Sequence, residues 1–230
     1  MKTHPNILLL AVVAPVTAWS AWQPYDRLTW WLEVTPVFLG FAALYIAQMK
    51  YGWRFSNLAM VLVALHMIVL LVGGHHTYAR VPLGDWVGDL FGWQRNHYDR
   101  LGHIMQGLVP AILCREIFIR LRVIHHRGWL GFCVVSVCLA ISATYELIEW
   151  AAALLSAEAA ASFLGTQGDS WDTQWDMFLA GVGALVSVSL ISRLHDHSIM
   201  RCLGTASLRK HRDISTARKK VAIAIPPKRP

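Results

Sequence analysis

Apolar residues gather in six blocks along the chain: Ile7–Trp22, Leu28–Met49, Ser56–Gly73, Leu101–Ile119, Trp129–Ala151 and Trp175–Leu194. Each approaches or reaches the roughly 17–25 residues that a helix needs to cross a bilayer. The pattern predicts an all-α, polytopic membrane bundle of six transmembrane helices over residues 1–200, followed by a basic, flexible cytoplasmic tail over 201–230. Pro15 interrupts the first block, and Glu33 and Pro36 sit in the second. Neighbouring helices must satisfy the polar groups that these residues free or introduce. No small-x-small cleavage site precedes Pro24, so the first block reads as a retained span. Two shorter stretches, Val81–Phe91 and Leu154–Leu164, read as segments lying at the membrane interface.

Composition strengthens this picture. Hydrophobic residues make up 55% of the chain, charged residues only 15%, and mean hydropathy is +0.42. A soluble domain carries about 25% charge, so the polar side chains are too few to cover a globule. Most of the eleven tryptophans flank the apolar blocks, as interfacial anchors do. With both termini inside, seventeen Lys and Arg fall on the cytoplasmic side and four (Arg27, Arg80, Arg95 and Arg100) outside. That bias sets the orientation. The net charge of +7 arises largely from the tail beyond Arg193, which points to anionic lipid headgroups and not to nucleic acid. Cys114, Cys133 and Cys138 lie in apolar stretches and read as buried thiols.

The ionisable residues within the blocks converge on the outer half. His66 lies mid-way along the third, with Gly73-Gly74 ending that helix before His75-His76. Asn96, His97, Tyr98, Asp99, Arg100 and His103 open the fourth. Glu146 and Glu149 stand near the exit of the fifth, and Asp172 and Asp176 begin the sixth. Glu146/Glu149, Asp172/Asp176 and Asp99/His103 are spaced three or four apart, so each pair shares a helix face. Clustered carboxylates repel unless a cation offsets them, and imidazole with carboxylate suits zinc, manganese or iron. The expected ligands of one divalent metal are His103, Glu146, Asp176, His66 and His97. Glu149 is the expected general base, with Asp172 and Arg100 beside it, Arg100 to hold a phosphate oxygen. Gly181 and Gly183 read as helix-packing residues. Asp169 or Ser170 reads as the cap of the last helix. The group Arg115, Glu116, Arg120, Arg122, His125, His126 and Arg127 reads as a solvated loop facing headgroups.

The segments TYARVPLG, FGWQRNHYDRLGHIMQG, SATYELIEW and FLGTQGDSWDTQWDM resemble the YjdF-like inner-membrane proteins of bacteria over about residues 1–200. The resemblance implies a bacterial inner-membrane location, and the bias of basic residues puts the polar site on the periplasmic side. DTQWDMFLAGVGAL is similar, more remotely, to part of the VanZ-like proteins, and no function is carried across. Three readings of the polar site compete. The first is a metal-dependent hydrolase or headgroup-modifying enzyme that takes a lipid-linked substrate at the outer leaflet. The second is a proton- or cation-coupled carrier of small solutes. The third is a non-catalytic structural or envelope-resistance factor whose charged network locks the helices together. The inner halves of the blocks hold few ionisable groups, which weighs against a carrier.

Overall fold

In a computed structural model, the protein is described over residues 5–155 and 167–204. The elements are helices α1 (Pro5–Ala21), α2 (Arg27–Tyr51), α3 (Asn57–His76), α4 (Pro82–Phe91), α5 (Tyr98–Arg120) and α6 (Arg127–Leu155). The last helix, α7 (Asp172–Gly204), contains a π turn at Ser187–Ile191. No strand occurs among the described residues. Helices α2, α3, α5, α6 and α7 are long and apolar enough to cross a membrane, while α1, at 17 residues, is shorter. The expected interfacial segment Leu154–Leu164 lies almost wholly outside the described residues, as does the tail beyond Gly204. Helix α7 runs ten residues past its expected end at Leu194.

The helices alternate in direction. The end at which α5 and α7 begin is called the upper end here, and the end at which α7 finishes the lower. Local chemistry sets the boundaries. The Asp26 side chain accepts a hydrogen bond of 2.7 Å from Thr29 N to start α2, and Gly52 in the left-handed region stops it. Ser56 caps α3. Burial is inverted relative to a soluble protein. Leu39, Tyr45, Leu147, Phe178 and Leu190 are exposed on the perimeter, while Glu33, His103, Glu116, Asp176 and His195 are buried. An apolar solvent outside and polar groups inside are what a bilayer demands.

Helices α5 and α7 form the closest pair. A Cβ at Gly107 would collide with the Ala180 carbonyl, and one at Gly183 with the Ile104 carbonyl. The glycines therefore let the two backbones touch, as small residues do in membrane bundles. Gly183 packs as expected, and Gly181 does the same against Leu139 of α6. On α5, His103 stands one turn above Gly107. On α7, Asp176 stands one turn above Ala180. The small-residue contact thus brings the polar residues above it face to face. The π turn sets what lies below. In a regular helix the nineteen steps from Asp176 to His195 would leave them about 100° apart. The extra residue of a π turn removes roughly that rotation, so both point toward α5.

Gly73 and Gly74 do not end a helix, contrary to the expectation from sequence. Both are buried inside α3, which continues to His76. A Cβ on Gly73 would strike the Tyr78 ring, and one on Gly74 would come within 2.9 Å of Val34. Their role is to admit neighbours.

Candidate functional site

His103 is the centre of the upper cluster. Its Nδ1 lies 3.2 Å from the Gln106 side-chain carbonyl oxygen, which can only accept, so Nδ1 carries the proton. Its Nε2 faces two carboxylates, Asp99 at 3.6 Å and Asp176 at 3.9 Å. Glu146 Oε1 stands 3.9 Å from Nδ1. Carboxylates this close to one another repel unless a proton on Nε2 or a metal cation sits between them. One donor atom each from Asp99, His103 and Asp176 lies within 4.8 Å of the others. Tetrahedral zinc sites separate their donors by roughly 3.3 Å, given bonds of about 2.0–2.1 Å. Small side-chain rotations would close the gap. Glu146 Oε1 and Asp176 Oδ1 are both buried without a hydrogen-bond partner, leaving acceptor capacity aimed into the cluster.

The other expected residues form the surroundings. Arg95 holds Asp172 in a short ion pair, and Arg100 bonds Asp169 at 3.0 Å while lying over the Trp175 ring. Asp172 and Arg100 are thus rim residues with partners of their own. His97 packs edge-on to Trp93. Burial, then the Arg100 and Arg95 charges, hold its pKa below the usual imidazole value. It stands with the rim and not with the His103 donors. His66 on α3 is within coulombic range of His103, and its Nε2 is buried without a partner. Glu149 is half-buried within coulombic range of Glu33, Glu146, Asp99 and Asp176. Asp169 does not cap α7 directly. Its Oδ1 accepts from Trp171 N, one residue ahead of the helix.

Sequence reasoning missed Glu33 as a site residue. The Tyr145 hydroxyl donates to its Oε2 at 3.1 Å, and Tyr78 bonds it as well. Tyr78 reaches it from a left-handed backbone (φ 47°), through the slot between Gly73 and Gly102. Burial, then the Glu33 carboxylate, push the Tyr78 hydroxyl well above the ordinary phenol pKa. A carboxylate alone in an apolar run, together with a double glycine ahead of a tyrosine, was the available signal.

The family model described as "Predicted membrane protein (DUF2238)" matches residues 5–197. The chain belongs to this family. It is similar to the inner membrane protein YjdF of Escherichia coli strain K12, at 47% identity over 198 residues, covering 86% of this chain and 92% of that protein. No solved structure matches the chain. Membership, the relative and the five long apolar helices together make this a multi-pass inner-membrane protein.

The family's matched region also contains a second polar centre at the lower end, which corrects two expectations. Arg115 and Glu116 are not solvated, and the lower half is not poor in ionisable groups. Glu116 is fully buried and accepts from Ser56 N at 3.0 and 3.1 Å and from Arg120 at 2.8 Å. His195, also fully buried, lies 3.1 Å from Glu116. Arg115 Nη1 donates to His195 Nδ1 at 3.1 Å, so the ring is neutral and its Nε2–H donates to Glu116. Arg115 also holds Asp196 at 2.7 Å, and Arg120 stacks on Trp53. Every hydrogen-bonding atom of the His195 ring and of the Glu116 carboxylate is used. This centre ties α3, α5 and α7 together. The four cysteines carry free thiols, Cys138 buried and the others half-buried.

Proposed function

We propose that Asp99, His103 and Asp176, with Glu146 beside them, hold one divalent cation, and that the protein is a metal-dependent hydrolase or headgroup-modifying enzyme acting on a lipid-linked substrate. The observation that carries this reading is the His103 ring. Its Nδ1 bonds Gln106, and its Nε2 faces two carboxylates, one of which keeps an unpaired buried oxygen. A hydrogen bond from one imidazole nitrogen, with the other turned toward acids, is how metal-ligating histidines are held. Zinc, manganese or iron suits this donor set. A bound cation would supply Lewis acidity and an acidified water. Glu149, within coulombic range of Asp99 and Asp176, would serve as general base, and Arg100 would meet an anionic headgroup by exchanging its Asp169 partner. The upper end faces the periplasm in this reading, supported by the excess of Lys and Arg toward the lower end.

Elemental analysis of protein purified in mild detergent tests the metal. About one zinc, manganese or iron per chain is expected, and its loss in a His103→Gln/Asp176→Asn double variant. Metal-replete protein should then release product from a panel of phospholipids and polyprenyl phosphates, and Glu149→Gln should not. Absence of metal after equilibration with all three ions would overturn the reading.

A second reading, a proton- or cation-coupled carrier, is favoured by the lower polar centre. Against it stands the seam between the two centres, where Gly107, Ala111, Ala180, Gly183 and Ala184 are buried and the α5 and α7 backbones touch. Solute or proton flux through reconstituted liposomes would reverse the order.

A further inference from the structure

Helix α4, at ten residues, is the shortest of the described helices, and its two faces differ. At about 100° per residue, Leu83, Trp86, Val87 and Leu90 form one stripe, at the i, i+3, i+4, i+7 spacing of an amphipathic helix. All four are exposed, Trp86 and Leu90 each at 78%. The opposite side carries Gly84 and Gly88, both buried. A Cβ on Gly84 would run into the Asn96 amide, and one on Gly88 would lie 3.6 Å from the Trp93 carbonyl oxygen. The glycines therefore seat α4 flat on the segment that leads into α5. Asn96 fastens the seat. Its side-chain nitrogen donates to Val81 O at 2.9 Å and Asp85 Oδ1 at 2.7 Å, and its side-chain oxygen accepts from Tyr98 N at 3.0 Å. Its backbone exchanges two further bonds with the Gln167 side chain. One buried residue thus joins α4 to the first turn of α5, which carries Asp99, Arg100 and, one turn on, His103.

We propose that the apolar stripe of α4 is embedded in the bilayer interface at the upper end and that, through Asn96, this lipid contact holds the first turn of α5 in place. The occupant is lipid because the stripe continues the lipid-facing perimeter. Trp22, Tyr25 and Trp93 at the same end are also exposed. The helix carries Asp85 and Asp89 and no Lys or Arg, so its association is apolar and not electrostatic. Ten residues, about 15 Å, lie in the interface plane and do not cross it.

The test uses the full chain in nanodiscs of neutral phosphatidylcholine. Asp89→Cys should react with a membrane-impermeant maleimide at least about tenfold faster than Leu90→Cys, with the unsubstituted protein as blank for the native thiols. Phosphatidylglycerol in the disc should not change that ratio. The fluorescence quenched by brominated lipid should fall in Trp86→Phe. A Trp86→Ser/Leu90→Ser variant and, separately, Asn96→Ala should each raise amide hydrogen exchange over residues 98–103 by about tenfold. Equal labelling rates, unchanged quenching, or capture of a Leu90→Cys dimer that accounts for the protection would overturn the lipid contact. Unchanged exchange in the Trp86/Leu90 double variant, with the labelling contrast intact, would overturn the coupling to α5. None of these readouts depends on a metal or on turnover, so they separate this proposal from the enzymatic one.

Discussion

His195 illustrates how much a single buried side chain ties together. Replacing it with alanine removes the acceptor of Arg115 and one donor to Glu116, both in the lipid-shielded interior. Hydrogen bonds to charged groups contribute about 1.5–3 kcal/mol each. His195→Ala should therefore lower Tm in detergent by several degrees, while Asp196→Asn, at the half-exposed end of the same network, should cost under about 1 kcal/mol. His97 gives a pH-dependent counterpart. Its folded pKa lies below the unfolded value because of burial and the Arg100 and Arg95 charges. Its contribution is full above the unfolded value and is lost as pH falls through that value toward the folded one. The loss of Tm between pH 7.5 and 5.5 should be smaller in His97→Gln. The upper cluster was legible in the sequence because its members come in helical pairs, Asp99/His103 and Asp172/Asp176. Glu33 and His195 were not, since Glu33 is alone in its run and His195, among Arg193, Asp196 and His197, reads as part of a polar terminus. Their partners Tyr145 and Glu116 are 112 and 79 residues away, and no local spacing encodes such a meeting.

The α5–α7 crossing governs the site at the scale of elements. Gly107→Ala would force the two helices apart at the Ala180 carbonyl, at about 1–3 kcal/mol for overpacking, and would separate His103 from Asp176 one turn above. A loss of Tm and of bound metal together is expected. Gly131→Ala in α6 is the control. Nothing lies within 4 Å of the added methyl, so it should stabilise by about 0.5–1 kcal/mol through helix propensity alone. Hydropathy revealed the helices because a spanning segment must be apolar throughout. It placed the end of α7 too early because Arg193, His195 and Asp196 look like a polar terminus. The helix instead continues through them, with Arg193 exposed and His195 and Asp196 satisfied by α5. The double glycine in α3 misled for a similar reason. Glycine marks a helix end only when the backbone turns there, and here it marks a close neighbour.

For the whole molecule, orientation is the property from which the rest of the functional reading follows. The excess of Lys and Arg at the lower end predicts that a reporter fused after Pro230 is active in the cytoplasm, and that one inserted between Gly92 and Trp93 is active in the periplasm. The reverse pattern would put the His103 cluster on the cytoplasmic side and redirect the search for a substrate to the inner leaflet.

The π turn of α7 makes residue count matter more than residue type in that stretch. Leu190, at 76% exposure, should accept most apolar replacements. Deleting one residue of Ser187–Ile191 would restore regular winding, and the eighteen steps left between Asp176 and His195, about 1800° in all, would keep both pointed toward α5. Deleting two would swing everything below by about 100°, and His195 would lose Glu116 although no side chain in either centre had changed. The stretch between Asp176 and His195 thus has two permitted lengths that differ by one residue.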